Sequence, residues 1–154
     1  MDAWIGIDPG QKGFLCLIVP NDKIIQYRSN IEKPINISTW LHIINSKYNL
    51  KMCVIEDVHS IYGTSAKSNF MFGYNTGLIT GIIQTVNLPL AKVQPKKWQK
   101  AIGSTCTGNG LKKEIAKIAT DLYPNASICG PRGGLMDGKS DSLMIAHYAY
   151  LTYK

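Results

Sequence analysis

Ten acidic residues are spread over this 154-residue chain, and in three places they close an apolar run or open a helical one. Asp8 ends Trp4-Ile5-Gly6-Ile7 and precedes a Pro9-Gly10 turn. Glu56 ends Met52-Cys53-Val54-Ile55, and Asp137 and Asp141 stand about one helical turn apart near the start of the last apolar stretch. Each has a plain reading. Asp8 suits a turn, Asp137 a glycine-rich loop, and Asp141 the positive end of a helix dipole. Glu56 is harder to dismiss, because a charge ending an apolar strand is costly without a partner. Its neighbour Asp57 falls on the opposite face of the strand and reads as solvated or structural. Four carboxylates brought together would repel and resist ionising without a counter-charge. A hard, oxygen-seeking cation such as Mg2+ supplies one. Two such ions, roughly 4 Å apart, can activate a water and steady the leaving 3′ oxygen of a phosphodiester. No histidine, serine or cysteine nucleophile arrangement competes with this reading.

For the acids to meet, the chain must place its strand ends side by side. Trp4–Ile7, Gly13–Val19 and Lys23–Tyr27 read as strands joined by tight turns, hence an antiparallel meander. From Ser38, a plausible N-cap, apolar residues recur at helical spacing. A strand over Met52–Ile55 follows, then a loop, a long helix from about Asn69 to Val86, and a fifth strand over Leu90–Val93. Pro95 opens a short helix through Ile102, a further helix covers Leu111–Tyr123, and the last begins near Ser140, again a natural N-cap. The glycine-rich stretch 130–138 between these last two helices reads as mobile. Hairpins followed by strand–helix alternation specify an α/β fold: a five-stranded mixed sheet, three strands antiparallel and two parallel, flanked by helices. With no repeat or linker, residues 1–154 are expected to form one domain. Functional groups in such sheets collect at the carboxyl ends of the strands, where Asp8 and Glu56 lie.

Hydrophobic residues make up 45% of the chain and charged ones 18%, which excludes a disordered or fibrous protein. The longest apolar run, Phe14–Val19, is far short of a membrane span. Met1-Asp2-Ala3-Trp4 does not open a secretory signal, so a cytoplasmic protein is expected. Four dispersed cysteines, Cys16, Cys53, Cys106 and Cys129, fit free thiols in a reducing compartment better than a zinc site or disulfides.

The net charge is +7, which favours a polyanionic partner. Between Lys92 and Lys117 seven lysines (Lys92, Lys96, Lys97, Lys100, Lys112, Lys113 and Lys117) face one acid, Glu114. They are either a solubilising face or a phosphate-binding one that holds nucleic acid without reading sequence. Trp98 among them could stack on a base or fill the core. Phe70-Met71-Phe72 follows a polar loop, where an apolar side chain can wedge into unstacked DNA or simply start a helix core. Gly73, Gly77 and Gly81 leave one helix face bare, to lie on the sheet or on a partner's helix.

Taken together, Gly6-Ile7-Asp8-Pro9-Gly10 with Gly13, Val54-Ile55-Glu56, Val93-Gln94-Pro95 with Trp98, Lys112-Lys113-Glu114 and Asp141-Ser142-Leu143-Met144-Ile145-Ala146 resemble the motifs of RuvC-like Holliday junction resolvases. The likeness is to their short phage and organellar members, and the pieces run in the family's order over nearly the whole chain. The first motif alone is shared with actin-like ATPases and sugar kinases, which need a second domain that 154 residues cannot hold. The resemblance implies a ribonuclease-H-like fold and a homodimer. Its two sites would nick opposed strands of a four-way DNA junction with Mg2+ or Mn2+, two ions per site. It assigns catalysis and metal binding to Asp8, Glu56, Asp137 and Asp141, and an aromatic entering the junction to Phe70 or Phe72; the charge reading adds DNA contacts at Lys96, Lys97, Lys100, Lys112 and Lys113. A phage-encoded member would work in the host cytoplasm; no membrane or small-molecule cofactor is implied. The pattern departs in two places. The bacterial enzymes space the final two acids three apart, whereas here that position is Gly138 and Asp137 lies four away. Where some carry a histidine after the last acid, this chain has Leu143. Lys139 could then approach the scissile phosphate. Two other readings stand beside this one: a ribonuclease-H-like nuclease acting on RNA, and a non-catalytic binder of branched DNA.

Overall fold

A computed structural model describes residues 1–59 and 62–154. Five strands form one sheet: β1 (Asp2–Ile7), β2 (Phe14–Val19), β3 (Ile24–Ser29), β4 (Asn49–Glu56) and β5 (Leu90–Val93). Their order across the sheet is β3-β2-β1-β4-β5. β1, β2 and β3 are antiparallel neighbours, while β4 runs parallel to β1 and β5 parallel to β4. This is the mixed sheet expected from the two turns followed by strand–helix crossovers. Between the strands and after them come α1 (Pro34–Lys47), α2 (Ala66–Thr85), α3 (Pro95–Ala101), α4 (Leu111–Leu122) and α5 (Asp137–Thr152).

Alternation along the strands divides the apolar residues between two cores. Ala3, Ile5, Ile7, Leu15, Leu17, Cys53 and Ile55 pack with Ile37, Leu41 and Ile44 of α1 and Ile79 and Ile83 of α2. Trp4, Cys16, Ile18 and Val54 face the other way, onto Trp98 of α3, Ile115 and Ala119 of α4, and Leu143–Ala146 of α5. The sheet is therefore covered on both faces. No helix among the described residues is long and apolar enough to cross a membrane.

Three helix starts differ from the sequence-based expectation. α2 begins at Ala66, three residues before Asn69, because Ser65 caps it by accepting from the Ser68 N–H. α1 begins at Pro34, one turn before Ser38, because proline's fixed φ and missing N–H suit the first helical position. α5 begins at Asp137, and Ser140 is not its cap; its hydroxyl donates to the Asp137 carbonyl at 2.9 Å. The cause lies in the preceding stretch, which is a hydrogen-bonded hairpin and not the mobile loop its glycines suggested. Cys129 pairs with Leu135, Gly130 N–H donates to Gly134 at 2.8 Å, and Met136 N–H returns to Ile128 at 2.9 Å. Gly133 takes a φ of +78°, open to glycine at little cost. The hairpin keeps the chain extended through Met136, so the helix can start only at the next residue. Cys16 and Cys53 are buried free thiols, as expected; Cys106 and Cys129 are exposed and free.

Candidate active site

β1 and β4 are in parallel register, Ile7 opposite Ile55, so the residues that follow, Asp8 and Glu56, emerge side by side at the carboxyl ends. α5 is laid across β1 in direct contact. At Gly6 a Cβ would overlap the backbone of Ser142 and Ala146, so only glycine lets the helix settle this close. That contact carries Asp141, the residue before Ser142, over the strand ends, with Asp137 one turn earlier on the same face. Gly138 is pressed as tightly. A Cβ there would collide with the backbone of Lys12 and Gly13 in the β1–β2 turn. An acid three residues before Asp141 therefore has no room, and Asp137 is the neighbour on the helix that can face the site.

The electrostatics follow from this crowding. Burial pushes the Asp8 carboxyl above its ordinary value, opposed by the Gly10 N–H and reinforced by Asp137; that N–H donates to Asp8 Oδ1 at 2.9 Å. Burial likewise raises Glu56 to about 7, with Asp8 adding to it and the indole of Trp98 opposing it. The Trp98 Nε1–H donates to Glu56 Oε1 at 2.8 Å. Asp141 is raised furthest, to about 8, by burial and then by the charges of Asp8, Glu56 and Asp137. Its Oδ1 is buried with no hydrogen-bond partner. Among the described residues, the cation bonded directly to this group is Lys112, whose ammonium holds Asp137 Oδ2 at 2.5 Å.

Four acids, one of them with a buried and unpartnered carboxylate oxygen, form a donor set suited to a hard divalent cation. Among the described residues, no three His, Cys, Asp or Glu side chains are drawn tightly enough around one point to ligate an ion as they stand.

Three residues support the site, of which Asn30 and Asn75 carried no clear signal in the sequence and Glu114 appeared only within the Lys112-Lys113-Glu114 motif. Asn30, buried at the end of β3, donates from Nδ2 to the carbonyls of Asp8 at 2.7 Å and Gly10 at 2.8 Å. Asn75 of α2 reaches the Gly10 carbonyl as well, at 3.5 Å. Glu114 ties down the loop before α4. Its carboxylate accepts from Ser104 Oγ and from the N–H groups of Thr105 and Cys106, bonds that hold it down to about 2. Trp98 is 1% exposed, which makes it a core residue and ends the base-stacking alternative.

On the surface, Lys96, Lys97 and Lys100 of α3 and Lys112 and Lys113 of α4 are exposed, on the outer sides of helices whose inner sides bury Trp98 and Ile115. The Lys139 ammonium lies over the rings of Phe14 and Tyr27, 5.7 and 5.3 Å from their centres. Phe70 is 70% exposed near the start of α2, its ring stacked on Tyr74 with centroids 6.4 Å apart. Phe72 is half-buried. A Cβ at Gly73, Gly77 or Gly81 would meet nothing within 4 Å; this face is turned away from the sheet.

Neither a family model nor a curated protein matches the chain by sequence. Solved structures do match by fold. Thermus thermophilus RuvC in complex with Holliday junction substrate superposes with a TM-score of 0.63 at 14% identity, covering 97% of this chain and 95% of that one. A second Thermus thermophilus RuvC structure gives 0.58 at 15% identity over 98% and 97%. This chain has the ribonuclease-H-like fold of RuvC. The yeast mitochondrial Holliday junction resolvase Ydc2 gives 0.49 at 17% identity, over 94% of this chain and 76% of that one. At these identities the likeness to RuvC is one of fold, and it runs over nearly the whole of both chains.

Proposed function

We propose that this protein is a structure-selective, divalent-cation-dependent endodeoxyribonuclease that resolves four-way DNA junctions by paired nicks, acting as a homodimer. The observation that carries the reading is Asp141. Its carboxylate is buried against Asp8 and Glu56 with one oxygen unpartnered, an arrangement that costs stability and gains nothing for a protein that merely binds DNA. The shared fold supports the same reading, since RuvC was solved on a Holliday junction.

Asp8, Glu56, Asp141 and Asp137 would hold Mg2+ or Mn2+, two ions per site. Bound there, the ions supply an activated water and stabilise the leaving 3′ oxygen. The protein's own groups orient and hold. The Gly10 N–H and the Trp98 indole each hold one oxygen of the Asp8 and Glu56 carboxylates, and the second oxygen of each would be the one to meet an ion. Lys112, already drawn to Asp137, can exchange that carboxylate for a phosphate oxygen once another cation neutralises the acids. Lys96, Lys97, Lys100 and Lys113 hold the strands by charge. Phe70, exposed beside Tyr74, offers an aromatic surface to unstacked bases at the branch point.

The test is to incubate the protein with labelled four-way junction, linear duplex and RNA–DNA hybrid, with and without Mg2+. Symmetric nicks confined to the junction and dependent on the cation support the proposal. Cleavage of the hybrid instead would move the protein to the RNA-processing enzymes, and tight junction binding without nicking would make it a binder. Asp8→Asn is expected to reduce nicking by about a thousandfold or more while leaving junction affinity intact, because it removes a ligand and one repulsive charge. Nicking by this variant at the normal rate would refute the site.

A further inference from the structure

Three separate elements meet at the Gly10 carbonyl. Gly10 lies two residues beyond Asp8, and its N–H donates to the Asp8 carboxylate at 2.9 Å. Its carbonyl accepts from Asn30 at the end of β3, at 2.8 Å, and from Asn75 in the middle of α2, at 3.5 Å. Both amides are buried, 6% and 5% exposed. Asn30 holds the turn twice more, donating to the Asp8 carbonyl at 2.7 Å and from its backbone to Gly13 at 3.1 Å. Its Oδ1 is left buried with no partner, so the residue sits there for its two amide hydrogens. Asparagine is a poor choice inside a helix, and burying it is costly without a bond to make. Asn75 shares its buried stripe with Ile79 and Ile83, where an aliphatic residue would satisfy packing alone. The residue before it is Tyr74, on whose ring the exposed Phe70 is stacked.

We propose that Asn75, together with Asn30, positions Asp8: a hydrogen-bonded path runs from α2 through the Gly10 peptide to the carboxylate, so that DNA seated on Phe70 and Tyr74 sets the rate of nicking. The second half of this statement rests on the nuclease reading above; the first half does not. Asn30 and Asn75 touch no reacting atom and are positioning residues. Gly10 is the hinge of the path, since one peptide serves Asp8 with its N–H and α2 with its carbonyl.

Full-length Asn75→Ala, Phe70→Ala and the double variant test this with three readouts. These are junction affinity without divalent cation, single-turnover nicking at saturating protein, and amide hydrogen exchange at Gly10 and Gly13 in DNA-free protein. Asn75→Ala is expected to keep affinity within about twofold yet slow nicking about tenfold, the scale of a small misplacement of a reacting group. The Gly10 N–H donates to Asp8 Oδ1 and the Gly13 N–H to the Gly10 carbonyl, both at 2.9 Å, so exchange at both should accelerate by a similar factor, about tenfold, as these bonds loosen. Adding Phe70→Ala should cost no further rate, since the path is already cut. Unchanged nicking and exchange, or rate losses that simply multiply, would overturn the proposal. If wild-type protein nicks no branched DNA, the nuclease reading falls alone, and exchange at Gly10 still decides whether Asn75 holds the Asp8 turn. Should Asn75→Ala not fold, wild-type protein decides: slower exchange at Gly10 and Gly13 on binding the junction supports the path, and unchanged exchange refutes it.

Discussion

Glycine serves two opposite purposes in this molecule. Around the acids it is where backbone meets backbone: Gly6 against Ser142 and Ala146, Gly13 against Asp8, Gly138 against Lys12 and Gly13. Along the outer face of α2, Gly73, Gly77 and Gly81 meet nothing at all within 4 Å. In the first region the chain supplies both sides of every close contact, so the spacing of Asp8, Glu56 and Asp141 is fixed by the fold. In the second, the fold leaves the spacing open, and the alternative that these glycines lie on the sheet is ruled out. They stand two residues out of step with Asn75, Ile79 and Ile83, the stripe that does face inward. Small residues at regular spacing thus mark close approach only where something is there to approach.

Gly6→Ala should separate the two regions most sharply. The new methyl would have to displace the helix backbone that carries Asp141, and backbone cannot swing aside as a side chain can. A loss of about 3 kcal/mol or more is expected, at the upper end of overpacking costs. Urea unfolding with a chelator present measures it. A variant as stable as the parent would mean that α5 does not rest on β1 as described.

The next effect comes from the charges that this packing forces together. Asp8, Glu56 and Asp141 are all raised by burial. The folded protein therefore keeps protons that the unfolded chain releases near its ordinary carboxylate values, at about pH 4. Where the folded state holds more protons, raising the pH favours unfolding. Stability in chelator should fall from about pH 5 to about pH 8, as Glu56 and Asp141 ionise near 7 and 8. Asp141→Asn should flatten this decline, and added Mg2+ should offset it by giving the ionised acids a partner. A flat profile for the parent would show the acids to be better solvated than their burial implies.

The sequence made some of this legible and hid the rest, for identifiable reasons. Strand alternation and the turn residues marked all five strands to within a few residues, because a two-residue period and Pro-Gly punctuation are local signals. Asp8 and Glu56 were legible for the same reason: each ends a run that can only be a strand. The starts of α1 and α5 were misplaced because Ser38 and Ser140 are good caps in isolation, while Pro34 and a non-local hairpin bond from Met136 to Ile128 determine where the helices begin. Asn30 and Asn75 were invisible, since an asparagine looks the same in a chain whether it faces water or holds a carbonyl 65 residues away. Trp98 was ambiguous until its indole was seen to serve Glu56. Spacing could place the acids on elements. Only the close contacts at Gly6 and Gly138 say how near those elements lie.

The smallest predicted effect bears on the open half of the comparison. In the isolated chain Gly77 faces solvent at mid-helix with space for a methyl group. Alanine there restricts the unfolded backbone and favours the helix, which should stabilise the protein by about 1 kcal/mol, or about 3 °C in melting temperature for a chain of this size. The sign is informative because Gly6→Ala, the same chemical change, should have the opposite one. Melting measured over a range of protein concentrations makes the test complete. A gain at every concentration means that the α2 face is as open in solution as in the isolated chain. A gain when dilute that becomes a loss when concentrated means that a second copy packs against the glycines. A loss even in dilute monomer would mean that α2 is closed off by the chain itself, and the contrast between the two sets of glycines would fail.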